Sequence, residues 1–359
     1  MKPRDVIVIG AGQAGLAIAW QLTQRHLDVE ILEAGPAIGH SWRSRWDSLR
    51  LFTPAEYDSL PGMPFPAPAG TYPGKDDVAD YLAAYAAAFR LPVRSGTPVT
   101  QLTRGGGLYQ AHTPAGTFLA RQVVVATGPF QRPQVPVLSA DLSDDVLQLH
   151  SSLYRSPRQL PPGRVLVVGG GNSGVQIAAE LAASRQVILA VGGRPQMVPQ
   201  RLAGRDLFWW LTNLGLLRKP AGSRVARRIR ARGELVIGSS WRQLRTAGVD
   251  LRPRVVSAIS RRVRFADGTT ATADAVVWAT GYRTDHSWID VPGAVADGTI
   301  THTRGITPAD GLYVLGMPWQ HTRGSALLGF VNDDATWLAD RIAIRASQLA
   351  TPRVSRSAA

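Results

Sequence analysis

The sequence predicts an α/β protein of two similar units, one interrupting the other, and three observations carry that reading. An apolar run twice ends in a glycine-rich turn, each turn opens a helical pattern, and each unit closes on the same tripeptide. The first copy runs Val6-Ile7-Val8-Ile9 into Gly10-Ala11-Gly12-Gln13-Ala14-Gly15, followed by Leu16, Ala19 and Leu22 at helical spacing. The second runs Val165-Leu166-Val167-Val168 into Gly169-Gly170-Gly171-Asn172-Ser173-Gly174, followed by Ile177 and Leu181.

Both units then reach an apolar strand and an Ala-Thr-Gly tripeptide: Val123-Val124-Val125 before Ala126-Thr127-Gly128, and Val276-Val277-Trp278 before Ala279-Thr280-Gly281. From first glycine to last, 118 residues separate Gly10 from Gly128 and 112 separate Gly169 from Gly281. A duplication explains spacings so close. Pro129–Gly163 between the units is rich in proline and turn residues. After Gly281 a third strand, Leu312 to Gly316, and a helix over about Leu327 to Arg345 complete the first unit. The expected organisation is a first domain at 1–140, a linker at 141–163, a second domain at 164–281, the remainder of the first domain at 282–347 and a disordered tail at 348–359.

A G-x-G-x-x-G turn between strand and helix has a specific use. Its glycines permit the tight turn, let the backbone approach a pyrophosphate and allow the helix to pack on the strand, so the phosphate charge sits at the helix N-terminus. One copy is weak evidence and two in the same context are strong, so the fold class is two nested Rossmann-type dinucleotide-binding domains.

The ends of the second strands distinguish the two ligands. Eighteen residues past the last glycine the first unit has Glu33 and the second has Gly192. A carboxylate there accepts hydrogen bonds from a ribose 2′-hydroxyl and repels a 2′-phosphate, which calls for arginine. Glu33 thus fits the adenosine of FAD, and Gly192 with Arg194 fits NADPH. Alternatively, Arg194 is only a surface residue of the Gly192-Gly193-Arg194-Pro195 turn.

Composition narrows the remaining chemistry. With 359 residues, two domains are expected at about 150 residues each. The chain has no cysteine, which removes thiolate metal sites and any dithiol relay of the disulfide-reductase kind. His26, His40, His112, His150, His286, His302 and His321 show no metal-ligand spacing. Gly171-Asn172-Ser173-Gly174-Val175 lacks the final glycine of a nucleophile elbow. The net charge of +14 is dispersed, and its one dense run, Arg224 to Arg232, reads as a helix with a solvated basic face, while some of the charge can attract cofactor phosphates. Nucleic acid is not an expected partner. No membrane span or signal peptide is read, so the expected location is the cytoplasm.

With these motifs in place, the chain resembles the class B flavoprotein monooxygenases, which include flavin-containing monooxygenases, YUCCA-type enzymes and Baeyer-Villiger enzymes. Gly39-His40-Ser41-Trp42-Arg43 resembles the family's Gly-Gly-x-Trp segment along the FAD, and Trp46 to Pro54, Leu60-Pro61-Gly62 and Pro64-Phe65-Pro66 match text downstream of it. Gly311 to Gly316 resembles the strand returning to the flavin, and Gly324-Ser325-Ala326-Leu327 a turn aimed at its ring. Of the family's linker motif only His150 and Tyr154 remain. Tyrosine at the last place favours N- or S-hydroxylation over Baeyer-Villiger chemistry, as does Trp278-Ala279-Thr280-Gly281-Tyr282.

The resemblance implies hydride transfer from NADPH to flavin, reaction with O2, and oxygen insertion into a small organic substrate through a flavin C4a-peroxide, with the protein supplying binding and exclusion of water. No catalytic side chain is named. The residues expected to bind cofactor are Gly10, Gly12, Gln13, Ala14, Gly15, Glu33, Ala34, Trp42, Arg43, Val99, Ala126, Thr127 and Gly128. To these are added Gly169, Gly171, Asn172, Ser173, Gly174, Arg194, Ala279, Thr280, Gly281, Gly316 and Leu327. A homodimer is compatible with this reading. The competing readings are an NADPH-dependent flavin reductase serving a partner protein and a non-catalytic nucleotide sensor.

Overall fold

The computed structural model describes residues 2–350 except 194, 232 and 234. The first unit opens with β1 (Arg4–Ile9), α1 (Gln13–Thr23) and β2 (Val29–Leu32), continues through α2 (Lys75–Ala88) and β3 (Val93–Arg94), and ends in a meander of β4 (Gln101–Gly105), β5 (Leu108–Thr113) and β6 (Gly116–Val125). A strand β7 (Leu147–His150) follows. The second unit repeats the plan with β8 (Arg164–Val168), α3 (Asn172–Ala182), β9 (Gln186–Val191), two helices α4 (Leu207–Asn213) and α5 (Arg224–Ala231), and β10 (Leu235–Ile237). It then runs through β11 (Asp250–Pro253), a separate meander of β12 (Val255–Ile259), β13 (Arg262–Phe265) and β14 (Thr270–Thr272), and β15 (Ala275–Trp278). Strand β16 (Leu312–Val314) and helix α6 (Asn332–Ala350) finish the chain.

Two sheets result. In the first the order is β3-β2-β1-β6-β5-β4, with β16 pairing the far half of β6. In the second it is β11-β9-β8-β15-β7, all parallel. The parallel parts follow the same strand order, so β7 takes in the second sheet the seat that β16 takes in the first. The stretch 141–163, expected as a linker, therefore contributes a strand, with Leu149 opposite Val277. Its alternation is too short to stand out between prolines and turns.

Strands covered on both faces need apolar residues at every position. Val6 and Val8 face α1, α2 and α6, while Ile7 and Ile9 face the meander. All four are buried, each contributing about 1.5–3 kcal/mol. The second unit repeats this, with Val165 and Val167 toward α3 and Leu166 toward the meander of β12 to β14. Helix α6 lies on α1 through Leu338 and Ile342, with Gln21 donating to Thr336 and Arg25 paired to Asp340 at 2.6 Å. It starts later than the periodicity suggests, because Gly329 must lie flat on the Tyr57 carbonyl, where a Cβ would meet oxygen at 2.2 Å. Of the tail expected at 348–359, residues 348–350 end α6 and 351–359 lie outside the described residues.

Candidate dinucleotide sites

The two glycine turns divide their work identically. Gly10 (φ +104°) and Gly169 (φ +127°) adopt backbone that disfavours any side chain, and a Cβ there would lie 2.7 Å from the Ala126 carbonyl oxygen and 2.2 Å from that of Ala279. The alanine of each Ala-Thr-Gly tripeptide is thus the floor under the first glycine. At Gly15 and Gly174 a Cβ would meet the carbonyl oxygens of Gly10 and Gly169 at 1.9 and 2.0 Å, so these glycines allow helix to touch strand. Gly12 and Gly171 differ. Nothing lies within 4 Å of a Cβ at either position, which leaves an open face at the N-terminus of α1 and of α3. Two such cradles, each open at a helix N-terminus, fit the pyrophosphates of two dinucleotides.

The C-terminal segment completes the first cradle. Gly316 (φ +86°) approaches Ala14 so closely that a Cβ would lie 2.6 Å from the alanine methyl, and Gln13 donates to the Ala326 carbonyl at 3.4 Å. At the end of β2 the Glu33 carboxylate accepts from the Ala11 N–H at 2.6 Å and from the Gly35 N–H at 2.7 Å, while Ala34 is exposed beside it. A fixed carboxylate therefore borders the first turn.

At the matching place in the second unit a guanidinium stands instead. Arg254, just past β11, puts Nε and Nη2 3.3 Å from where a Cβ of Gly192 would be. Arg194 lies outside the described residues. Sequence spacing missed Arg254 because it comes from the neighbouring strand, 62 residues after Gly192. Parallel pairing of β9 with β11, which sets Val191 opposite Pro253, brings it there.

The remaining expected residues are distributed as follows. The Asn172 side chain is occupied within the protein, donating to the Leu235 carbonyl at 2.9 Å and accepting from the Ile237 N–H at 3.1 Å, and so ties α3 to β10. Ser173 beside it is half-buried. Trp42 packs against the α1–α2 core, and Arg43 turns its guanidinium to Asp80 and Asp76 on α2. Val99 packs under the first meander. Gln131 donates to both Thr127 Oγ1 and the Gly128 carbonyl at 2.9 Å, and Thr280 donates to the Gln134 carbonyl. His150 Nε2 donates to the Gly281 carbonyl at 3.0 Å; burial holds its pKa below the usual imidazole range. Tyr154 donates to Glu180 at 2.8 Å, so the surviving linker residues secure β7 to the second unit.

Leu327 joins a cluster in which Phe208 of α4 packs with Phe52, Tyr57 and Phe330 at ring separations of 5.9 to 6.2 Å. Next to Tyr57 in the chain stands a group that no motif announced. Asp58 is fully buried, accepts from Thr53 Oγ1 at 2.6 Å, and has no partner for Oδ2 among the described residues. Burial pushes its carboxyl up to about 7, against the lowering effect of the Thr53 bond.

Fold and cradles together define an oxidoreductase that uses a flavin and a nicotinamide nucleotide. A family model described as pyridine nucleotide-disulphide oxidoreductase matches residues 7–201. A relative from Geobacillus kaustophilus (strain HTA426), "Uncharacterized oxidoreductase CzcO-like", is 43% identical over 94% of this chain and 98% of its own length. The rice (Oryza sativa subsp. japonica) "Indole-3-pyruvate monooxygenase YUCCA1" is 29% identical over 90% of this chain and 86% of its own. The solved structure of the "Flavin-containing monooxygenase from Stenotrophomonas maltophilia" aligns with a TM-score of 0.80 at 27% identity, covering 96% of this chain and 99% of that one. The chain belongs to the pyridine nucleotide-disulphide oxidoreductase family and is a flavin-dependent oxidoreductase of the class B monooxygenase type. Having no cysteine, it has no thiol with which to run the disulfide chemistry in the family's name.

Proposed function

We propose that this chain binds FAD at the first glycine turn and NADPH at the second, and inserts one oxygen atom of O2 into a small organic substrate while the other leaves as water. The supporting observation is the contrast of charge at matching positions: the carboxylate of Glu33 beside one cradle and the guanidinium of Arg254 beside the other. A carboxylate suits ribose hydroxyls; a guanidinium suits a 2′-phosphate.

The flavin would supply the redox chemistry, accepting a hydride and activating O2. The chain's own residues bind and exclude. Gly12 and Gly171 let backbone N–H groups approach the diphosphates, and Gly316 and Gln13 hold the C-terminal segment over the first site. The cluster of Phe52, Tyr57, Phe208, Leu327 and Phe330 forms an apolar wall that keeps water from the reacting centre and receives substrate. Tyr154 in the linker, where a Baeyer-Villiger enzyme would carry tryptophan, favours transfer to nitrogen or sulfur. FAD is assigned to residues 1–140 with 282–347, and NADPH to 164–281. Among the described residues no helix is long and apolar enough to cross a membrane, and we assign the protein to the cytoplasm.

Oxygen electrode and product analysis test this reading. With holoenzyme, NADPH and a panel of thioethers and amines, oxygenated product should equal NADPH consumed for at least one compound class. Oxidation of NADPH that requires an added protein or dye acceptor, with no oxygenated product from any compound, would establish the reductase reading in its place.

A further inference from the structure

We propose that residues 201–231 form a docking surface for an anionic lipid bilayer. Between β9 and β10 the chain leaves the second sheet for a hairpin of Arg201–Leu202 with Arg205–Asp206, then α4 and α5. This excursion carries eight Lys and Arg residues against a single carboxylate, Asp206. Asp206 is already committed, accepting from the Phe208 N–H that starts α4 and from Tyr72 and Gln200. On α5 only Ala226 is buried, and Arg224, Arg227, Arg228 and Arg230 are exposed with no ion pair among the described residues.

Charge alone would describe a solvated face; the apolar groups set among the charges do not fit one. Leu202 is 54% exposed and Leu214 61% exposed, one before and one after α4. Between them lie half-buried Trp209 and Trp210, packed edge to face at 4.8 Å. Trp210 donates its indole N–H to the Leu202 carbonyl at 2.9 Å, fixing the hairpin against α4, and the Arg205 guanidinium lies 5.2 Å over the Trp209 ring. The inner side of the same helix is spoken for, because Phe208 and Leu211 close the aromatic cluster, so Leu214 has only the outside to face.

Tryptophan, exposed leucine and arginine without an ion pair among the described residues, gathered in this one excursion, have complementary places in a bilayer interface. Leucine enters the acyl boundary, indole rings settle among headgroups, and guanidinium groups meet lipid phosphates while their stems stay apolar. Nucleic acid would satisfy the arginines but would gain nothing from Leu202 and Leu214. The docking does not depend on the monooxygenase reading, and bound flavin reports the state of the protein separately.

Holoenzyme is sedimented with vesicles of phosphatidylcholine alone and with about 30% phosphatidylglycerol added. The expected result is binding to the anionic vesicles, a blue shift of tryptophan emission, and loss of binding at high salt. R224E/R227E/R228E should weaken binding by more than about tenfold, and Leu214→Asp should weaken it while leaving bound flavin unchanged. Should the triple variant fold poorly, Leu214→Asp and the salt dependence decide. Equal binding to neutral vesicles, no vesicle binding, or variants that bind like the parent overturn the proposal. So does arginine-dependent binding of a labelled DNA duplex without vesicle binding.

Discussion

The carbonyl oxygen of Ala126 sits where a side chain on Gly10 would begin, 2.7 Å from the Cβ position, and Ala279 stands in the same relation to Gly169. Each closing tripeptide is therefore packed into the turn that opens its own unit, which couples the two ends of a segment more than 110 residues long.

This packing separates glycines needed by the fold from those needed by a ligand. Gly15→Ala should destabilise by about 3 kcal/mol, because the new methyl must displace a backbone carbonyl 1.9 Å away. Gly12→Ala meets nothing within 4 Å and, at the N-cap, should cost less than about 1 kcal/mol. Chemical denaturation of the two apoproteins checks the contrast; equal losses would refute it.

Arg254→Ala should raise KM for NADPH and leave that for NADH nearly unchanged, with a difference of about 1.5–3 kcal/mol for a lost charged hydrogen bond. Steady-state kinetics with both nucleotides provides the check. Equal effects on the two would remove Arg254 from the 2′-phosphate site.

Asn172→Ala should lower stability by about 1–3 kcal/mol, since it strands the Leu235 carbonyl and the Ile237 N–H. Ser173→Ala, one residue on, should leave the melting temperature unchanged. Parallel thermal melts of the apoproteins decide, and the reverse order would show that the Asn172 amide is not the tie between α3 and β10.

Asp58 predicts a pH dependence whose sign is fixed by burial. Its carboxyl is held near 7 in the fold and ionises near 3.8 when unfolded, so the folded state keeps a proton that the unfolded chain gives up. That contribution is complete below about pH 4, is lost progressively up to about pH 7, and is flat above. Asn is neutral throughout, so Asp58→Asn should gain about 2–4 kcal/mol on wild type between pH 4 and pH 8. Melting curves of both proteins at the two pH values test this. A difference that stays constant with pH would show that Asp58 is ionised in the fold.

What the sequence disclosed and what it hid follow from the range of each interaction. The glycine turns, the strands before them and Glu33 are local patterns, and periodicity or a fixed offset finds them. Leu147–His150 was hidden because four residues between turn signals carry little pattern, and only pairing with Val276–Trp278 makes them a strand. Arg254 gains its role from Gly192, 62 residues away in the chain, and Asp58 gains its role from complete burial, which no spacing in the sequence announces. Asn172 belongs to the second glycine turn, yet its amide serves β10, a partner 63 to 65 residues away.

The most direct test compares visible absorption of wild type, Gly12→Val and Gly171→Val before and after anaerobic addition of NADPH. Two cradles holding two different dinucleotides require wild type to be yellow and to bleach, Gly12→Val to be folded and colourless, and Gly171→Val to be yellow and unbleached. A Gly12→Val protein that keeps its full flavin, or a Gly171→Val protein that bleaches as readily as wild type, would contradict the account.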